Sequence, residues 1–236
     1  MPFHISPKLL KYFKGFCSSP EIIMLFVYMK CRFSLSYRDL EEMASIRGAK
    51  IDHATLQRWV IRFVPLIDSA VRKRKRPVGG SWRMDETYIK VNGKWVYLYR
   101  AVDSVGNTIE FLLRKRRDAA AAKAFFRKAF QSSGYPDKVA IDKSGSNIAA
   151  LKAANEALPE YKEIEVRQIK YLNNIVEQDH RFIKKRTKPM LGFKSFHSAK
   201  ITITGIENIR IIQKGQIVGS NDNLSTFENF TMLMAS

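Results

Sequence analysis

Three acidic side chains stand where they could hold metal ions. Asp85 lies inside a run of aromatic and β-branched residues, Asp142 just past a short apolar run, and Glu177 at the start of an amphipathic stretch. Carboxylates are hard oxygen donors, and magnesium is held by a few of them with substrate phosphate and water completing its shell. Phosphodiester chemistry on DNA uses two such ions about 4 Å apart, one activating the attacking oxygen and one stabilising the leaving oxygen. Spacing alone is a weak guide, because a chain with 22 acidic residues will contain some Asp-Asp-Glu set. Each acid also has a plainer reading. Glu177 could complete a cap begun by Asn174, and an acid in a first helical turn is favoured by the helix dipole in any case. Asp142 could be a turn residue.

The stretch around Glu177 carries a second signal. On a helical wheel Glu177, Arg181 and Lys184 share one side with His180 beside them, while Leu172, Ile175, Phe182 and Ile183 take the other. One face suits a core. The other offers a metal ligand next to cations for phosphates, or else a solvated run ending in Lys184-Lys185-Arg186. Asp179 falls on the apolar side, where the sequence gives no reason for it. Competing metal chemistry is absent: His4, His53, His180 and His197 are scattered without zinc-ligand spacing, and Cys17 and Cys31 are too few for a disulfide framework. A reducing, cytoplasmic compartment fits.

The acids need a scaffold, and the order of elements suggests one. Trp82 to Val91 reads as a strand, Asn92-Gly93 as a hairpin turn, and Lys94 to Val102 as the returning strand. Thr108 to Leu113 gives a third. Then come a helix from about Asp118 to Gln131, with Ala122, Phe125, Phe126 and Phe130 inward, and a strand from Lys138 to Ile141. A helix near Asn147 to Ala157, a strand from Ile164 to Ile169 and a helix from Asn174 follow. A three-strand antiparallel meander followed by alternating helix and strand is the order of a ribonuclease-H-like fold, in which carboxylates from strand ends and a late helix converge.

The first third is different. A helix opens at Ser19-Pro20 and runs to about Lys30. A second starts at Ser36 with Asp39 as its capping-box partner and stops at Gly48. A third begins near His53 and buries Leu56, Trp59, Val60 and Phe63. The last two form a helix-turn-helix pattern, in which the helix after the turn enters the major groove. Thr55, Gln57, Arg58 and Arg62 lie off its apolar stripe, and Arg and Gln read guanine and adenine edges. A plain helical bundle with a basic face is the alternative. Arg72 to Arg76, followed by Pro77 and Gly79-Gly80, reads as a basic interdomain linker.

Charge favours the nucleic-acid version. The net charge is +19 with a pI near 10.0, which calls for a polyanionic partner. A membrane is a poor second: the longest apolar run, Ile22 to Met29, is far short of the roughly 20 residues a span requires, and no signal-peptide pattern is present. The expected fold class is α/β, an N-terminal all-α helix-turn-helix domain followed by a ribonuclease-H-like mixed-sheet catalytic core. The expected boundaries are residues 1–64 for the helical domain, 65–81 for the linker, 82–215 for the core and 216–236 for a polar tail.

Longer motifs add a resemblance. Trp82-Arg83-Met84-Asp85-Glu86-Thr87-Tyr88 through Trp95, Tyr97-Leu98-Tyr99-Arg100-Ala101-Val102-Asp103, Arg167-Gln168-Ile169-Lys170-Tyr171 through His180, and Leu191-Gly192-Phe193-Lys194-Ser195 look strongly like bacterial insertion-sequence transposases of the IS-six family. Ser36 to Leu40 and Asp52 to Leu56 match that family's helix-turn-helix, and the resemblance covers about residues 33–215. It implies that Asp85, Asp142 and Glu177 are the catalytic, metal-binding triad. The 34 residues between Asp142 and Glu177, and a basic residue seven positions beyond Glu177, here Lys184, follow the family pattern. It also implies two magnesium ions (manganese able to substitute), double-stranded DNA at element ends and target, and terminal inverted repeats. Replicative transposition through a cointegrate and a homo-oligomer in the synaptic complex, at the bacterial nucleoid, follow as well. Ile141 departs from the family's usual threonine, as does Ser144-Gly145-Ser146 after Asp142-Lys143, and the tail from Gly219 finds no match. Two readings compete: an inactive or domesticated transposase acting as a sequence-specific DNA-binding protein, and a metal-dependent nuclease.

Overall fold

A computed structural model describes residues 4–142, 145–168, 170–190 and 192–236. Lys143 and Ser144 after Asp142, Ile169 at the end of the expected fifth strand, and Leu191 of the Leu-Gly-Phe motif lie outside the described residues. In chain order the elements are α1 (Pro7–Leu10), α2 (Pro20–Arg32), α3 (Tyr37–Ile46), α4 (His53–Arg74), β1 (Ser81–Val91), β2 (Lys94–Asp103) and β3 (Thr108–Arg114). There follow α5 (Ala119–Ser133), β4 (Lys138–Ala140), α6 (Gly145–Asn155), β5 (Glu165–Arg167), α7 (Asn174–Thr187), α8 (Phe196–Gln213) and α9 (Thr226–Ala235). Among the described residues no helix is long and apolar enough to cross a membrane.

The chain divides into two compact units: a helical one that runs up to Arg76 and resumes at Phe193, and a sheet unit from Pro77 to Gly192. In the helical unit local chemistry sets the helix starts. The Ser19 hydroxyl accepts from the Ile22 N–H, Ser36 and Asp39 make a reciprocal capping box, and Asp52 accepts from the Ala54 and Thr55 N–H groups. Gly48, at φ +74°, supplies the left-handed residue after α3. With α3, the turn and α4 in place, the helix-turn-helix is formed.

The sheet unit has five strands in the order β3-β2-β1-β4-β5. β2 runs antiparallel to both β1 and β3, whereas β4 and β5 run parallel to β1. That is the ribonuclease-H-like arrangement. Asn92 and Gly93, both at positive φ, close the β1–β2 hairpin with the twist that paired strands require. Trp82 and Met84 of β1 and Tyr99 and Ala101 of β2 pack with Phe125 and Phe126 of α5 and Leu151 of α6 on one face. Residues of β1 and β2 that point the other way meet α7.

The boundaries differ from the expected 1–64, 65–81, 82–215 and 216–236. Residues 65–74 are helix, not linker. Pro65 sits on an exposed side of α4, while Ile67 and Val71 continue the buried stripe begun by Leu56 and Phe63. Arg72, Lys73 and Arg74 form the last turn, where cations complement the dipole. Nor is the C-terminal end a tail. α9 begins with a Ser225–Glu228 capping box and buries Phe230, Leu233 and Met234. The segment before it pairs with the end of α4, through Arg76 N–H to the Gln216 carbonyl and Val218 N–H to the Arg74 carbonyl. α8, expected in the core, belongs to the helical unit.

Within that unit α8 crosses α2 and α4 at Gly205. A Cβ there would stand 2.4 Å from the Cys31 sulfur and 3.1 Å from Val64 Cγ2. Gly205→Ala should therefore destabilise by about 1–3 kcal/mol, despite alanine's better helix propensity. In a Cys31→Ala background the cost should shrink, since the sulfur is the closest obstacle. Chemical denaturation of the two single variants and the double would measure it, and an equal cost in both backgrounds would rule out the close approach.

Candidate active site

β1 carries two acids in succession, and strand alternation sends them to opposite faces. Asp85 lies opposite Arg100 of β2. On its other side, β4 pairs in parallel with β1 as far as Arg83 and Ala140. Two residues further along each strand bring Asp142 level with Asp85. Ligand oxygens of Asp85, Glu86 and Asp142 lie within 4.8 Å of one another, each residue half-buried.

Counter-charges hold part of this cluster. Arg117, in the loop after β3, donates one nitrogen to both Glu86 Oε2 at 3.2 Å and Asp142 Oδ2 at 3.3 Å. Asn147 of α6 donates to Glu86 Oε1 at 3.0 Å. Burial raises the Glu86 carboxyl, against the pull of Arg117 and Asn147. Asp85 fares worse. Burial first, then the negative charges of Glu86, Asp142 and Glu177, push its carboxyl up to about 7, even though the Glu86 N–H donates to it.

The fourth acid comes from α7. Glu177 occupies its first turn, exposed, outside the closest group but near enough for its charge to act on Asp85. What sets α7 on the sheet is Asp179, unexplained by the helical wheel. Its Oδ2 accepts from Arg100 at 2.9 Å, and the two side chains are only 6% and 1% exposed. The next residue, His180, is buried with Nδ1 3.5 Å from Asp85 Oδ2. Burial, then the charges of Arg100 and Lys184, lower its imidazole to about 3, so the ring is neutral at pH 7. Arg181 and Lys184 face solvent from the same helix.

The structure thus brings Asp85, Asp142 and Glu177 to one region and adds Glu86, Arg117 and Asn147, which sequence reasoning missed. Glu86 was detectable only as a second acid beside Asp85. Arg117 sits at the end of a four-residue basic run that marks no particular member. In the helical unit Gln57, Arg58 and Arg62 are exposed on α4. Thr55 has another engagement: its hydroxyl donates to Asp52 at 2.6 Å and accepts from Arg58 at 2.9 Å, steadying both the cap and that arginine.

Hard oxygen donors, mutually repelling and partly desolvated, are a donor set suited to divalent cations. A ribonuclease-H-like sheet with such a cluster beside its central strand defines a class of protein. Comparison with known proteins narrows it. A family model described as a DDE domain, of the IS240 transposase type, matches residues 79–216. The transposase for insertion sequence-like element IS431mec of Staphylococcus aureus is 38% identical over 205 residues, 87% of this chain and 90% of the relative. The transposase for insertion sequence element IS257 in transposon Tn4003, from the same species, matches at the same identity and coverage. Among solved structures, the catalytic core domain of BIV integrase is similar at a TM-score of 0.44 and 16% identity, over 65% of this chain and 95% of that one. The chain belongs to the DDE transposases of the IS-six family.

Two stability predictions follow from the geometry. Asp179→Ala takes a carboxylate partner from the buried Arg100 and should cost about 3–5 kcal/mol in denaturant unfolding; a change below about 1 kcal/mol would mean the pair does not hold α7. The second concerns pH, with a chelator present. From about pH 4 to 7 the folded chain keeps an Asp85 proton that the unfolded chain releases. That stabilisation is complete below pH 4 and lost as pH rises through 7. His180 acts oppositely, its contribution lost as pH falls from 6.5 through about 3. Asp85→Asn should therefore gain on the parent steadily between pH 5 and 8, by on the order of a few kcal/mol at the upper end. A constant offset across that range would show that Asp85 titrates normally.

Proposed function

We propose that this transposase binds the terminal inverted repeats of its insertion sequence and cuts and joins DNA strands at the carboxylate site, generating cointegrates by replicative transposition. The observation that carries the reading is the convergence of Asp85, Asp142 and Glu177. Those acids come from a strand, a loop and a helix, and the charges of Asp142 and Glu177 both act on Asp85, in a chain of net charge +19. Asp85, Asp142 and Glu177 are the residues that would hold divalent cations, magnesium or manganese. Such ions, when bound, activate the attacking oxygen and stabilise the leaving one.

The remaining roles belong to the protein's own side chains. Neutral His180, against Asp85, orients that carboxylate without competing for it by charge. Arg117 neutralises Glu86 and Asp142. Arg181 and Lys184, exposed on α7 one and two turns beyond Glu177, grip phosphates, which positions a strand without reading it. On α4, Arg58, Arg62 and Gln57 face the major groove, with Thr55 bracing Arg58. The working form is a homo-oligomer in a synaptic complex, at the nucleoid in the bacterial cytoplasm.

Asp142→Asn separates binding from chemistry. A neutral amide is a poor ligand for a hard cation, so magnesium-dependent strand cleavage and joining should fall by at least about a hundredfold. Affinity for the element's ends should stay within about twofold, because α4 is untouched. Gel-shift and strand-transfer assays on the same end-bearing duplex read both quantities. Undiminished strand transfer would refute the assignment, and end binding without any cleavage by the unmodified protein would point to an inactive, DNA-binding relative.

A further inference from the structure

On the face of the sheet that carries Glu86, the β1–β2 hairpin extends beyond the packed core. Glu86 is followed on that face by Tyr88 and Lys90, and the antiparallel register sets Tyr97 opposite Tyr88 and Trp95 opposite Lys90. Arg114 of β3 stands opposite Tyr97 in turn. The aromatic rings form a cluster, with Tyr88 5.4 Å from Tyr97 and 6.4 Å from Trp95 between centroids. Tyr97 packs partly on the core, but Tyr88 is 50% and Trp95 60% exposed. Cations surround them: the Lys90 ammonium lies 6.0 Å from the Trp95 ring centre, and Arg117 is close enough to Tyr88 to feel its charge.

Cross-strand aromatic pairs do stabilise hairpins, but Asn92-Gly93 already fixes this turn, and two large rings left half in water make a costly surface for stability alone. Exposed rings interleaved with cations are the means by which proteins hold unpaired bases, since every base has a π face and each nucleotide brings a phosphate. The site is also continuous with the carboxylates: Tyr88 is two residues from Glu86, about 7 Å along the strand. We propose that Tyr88, Trp95 and Tyr97 form a stacking platform for unpaired bases of the DNA strand end at the carboxylate site. Lys90 and Arg114 take the adjoining phosphates. The platform favours ends whose last base pairs are open, and it gives the enzyme a grip that duplex-reading helices do not supply.

This inference rests on the DNA-processing reading, and its test distinguishes the two. The full chain is titrated with two duplexes bearing the element's terminal repeat, one fully paired and one with unpaired terminal bases that include a fluorescent adenine analogue. The unmodified protein should quench the analogue by stacking. Trp95→Leu and Tyr88→Leu should abolish the quenching and weaken binding of the open-ended duplex by about tenfold or more, with the paired duplex bound within twofold. Trp95→Phe, which keeps a π face, should retain most of the effect, and thermal melting confirms that each variant folds. Unchanged quenching in the leucine variants overturns the proposal. So does phenylalanine as damaging as leucine, an equal loss on both duplexes, or a sedimenting dimer that Trp95→Leu dissociates, which would make the patch a contact with a second copy. If the unmodified protein binds neither duplex, the DNA-processing reading fails and this inference with it.

Discussion

The seating of α7 beside the carboxylate site turns on one buried ion pair. Arg100 on β2 and Asp179 on α7 are both almost fully enclosed, and either charge alone at that depth would cost several kcal/mol. Their pairing leaves α7 one favourable seat on the sheet. A slip by one residue would rotate the helix by about 100° and carry Asp179 away from its partner. With that seat fixed, His180 must lie against Asp85, because Arg100 is the cross-strand neighbour of Asp85. Glu177, two residues before Asp179, is delivered to the same edge of the sheet. The dipole favours Glu177 in the first turn of the helix; the ion pair decides where that helix goes.

The site is electrostatically incomplete without cations. Glu86, Asp142 and Glu177 all act on Asp85, and the nearby positive charge is unevenly shared: Arg117 serves Glu86 and Asp142, whereas the imidazole beside Asp85 is neutral. Asp85 therefore keeps its proton to about pH 7. A cation held by Asp85 would have to displace that proton, which would couple metal affinity to pH around neutrality. The surrounding surplus of lysine and arginine does not remove this repulsion.

Much of this was legible from the chain. Alternation in Trp82 to Val102, the Asn-Gly turn and the serine and aspartate caps are local signals, and the elements appear within a few residues of where those signals put them. The illegible parts are non-local. Asp179 is an oddity on a wheel because its partner is 79 residues away. Glu86 is hidden by the very alternation that finds Asp85, since a neighbour on a strand is expected on the opposite face, yet the ligand oxygens of both lie within 4.8 Å of Asp142. Pro65 misleads because a proline is read as a break, whereas an exposed proline followed by an intact apolar stripe is carried through the helix.

The chain's organisation follows from burial in α8. Ile203, Ile206, Ile209 and Ile212 are essentially inaccessible, and Gly205 is stripped of a side chain so that α8 can approach Cys31. A helix so committed cannot be left out of the unit that α2 and α4 begin, although the whole sheet lies between them in sequence. The sheet unit is accordingly an insertion within the helical one, connected by two chain passages, at Arg76–Pro77 and Gly192–Phe193. Loss of α8 or α9 would expose the faces of α2 and α4 that they cover. The segment that follows the sheet unit is thus part of what keeps the helical unit folded.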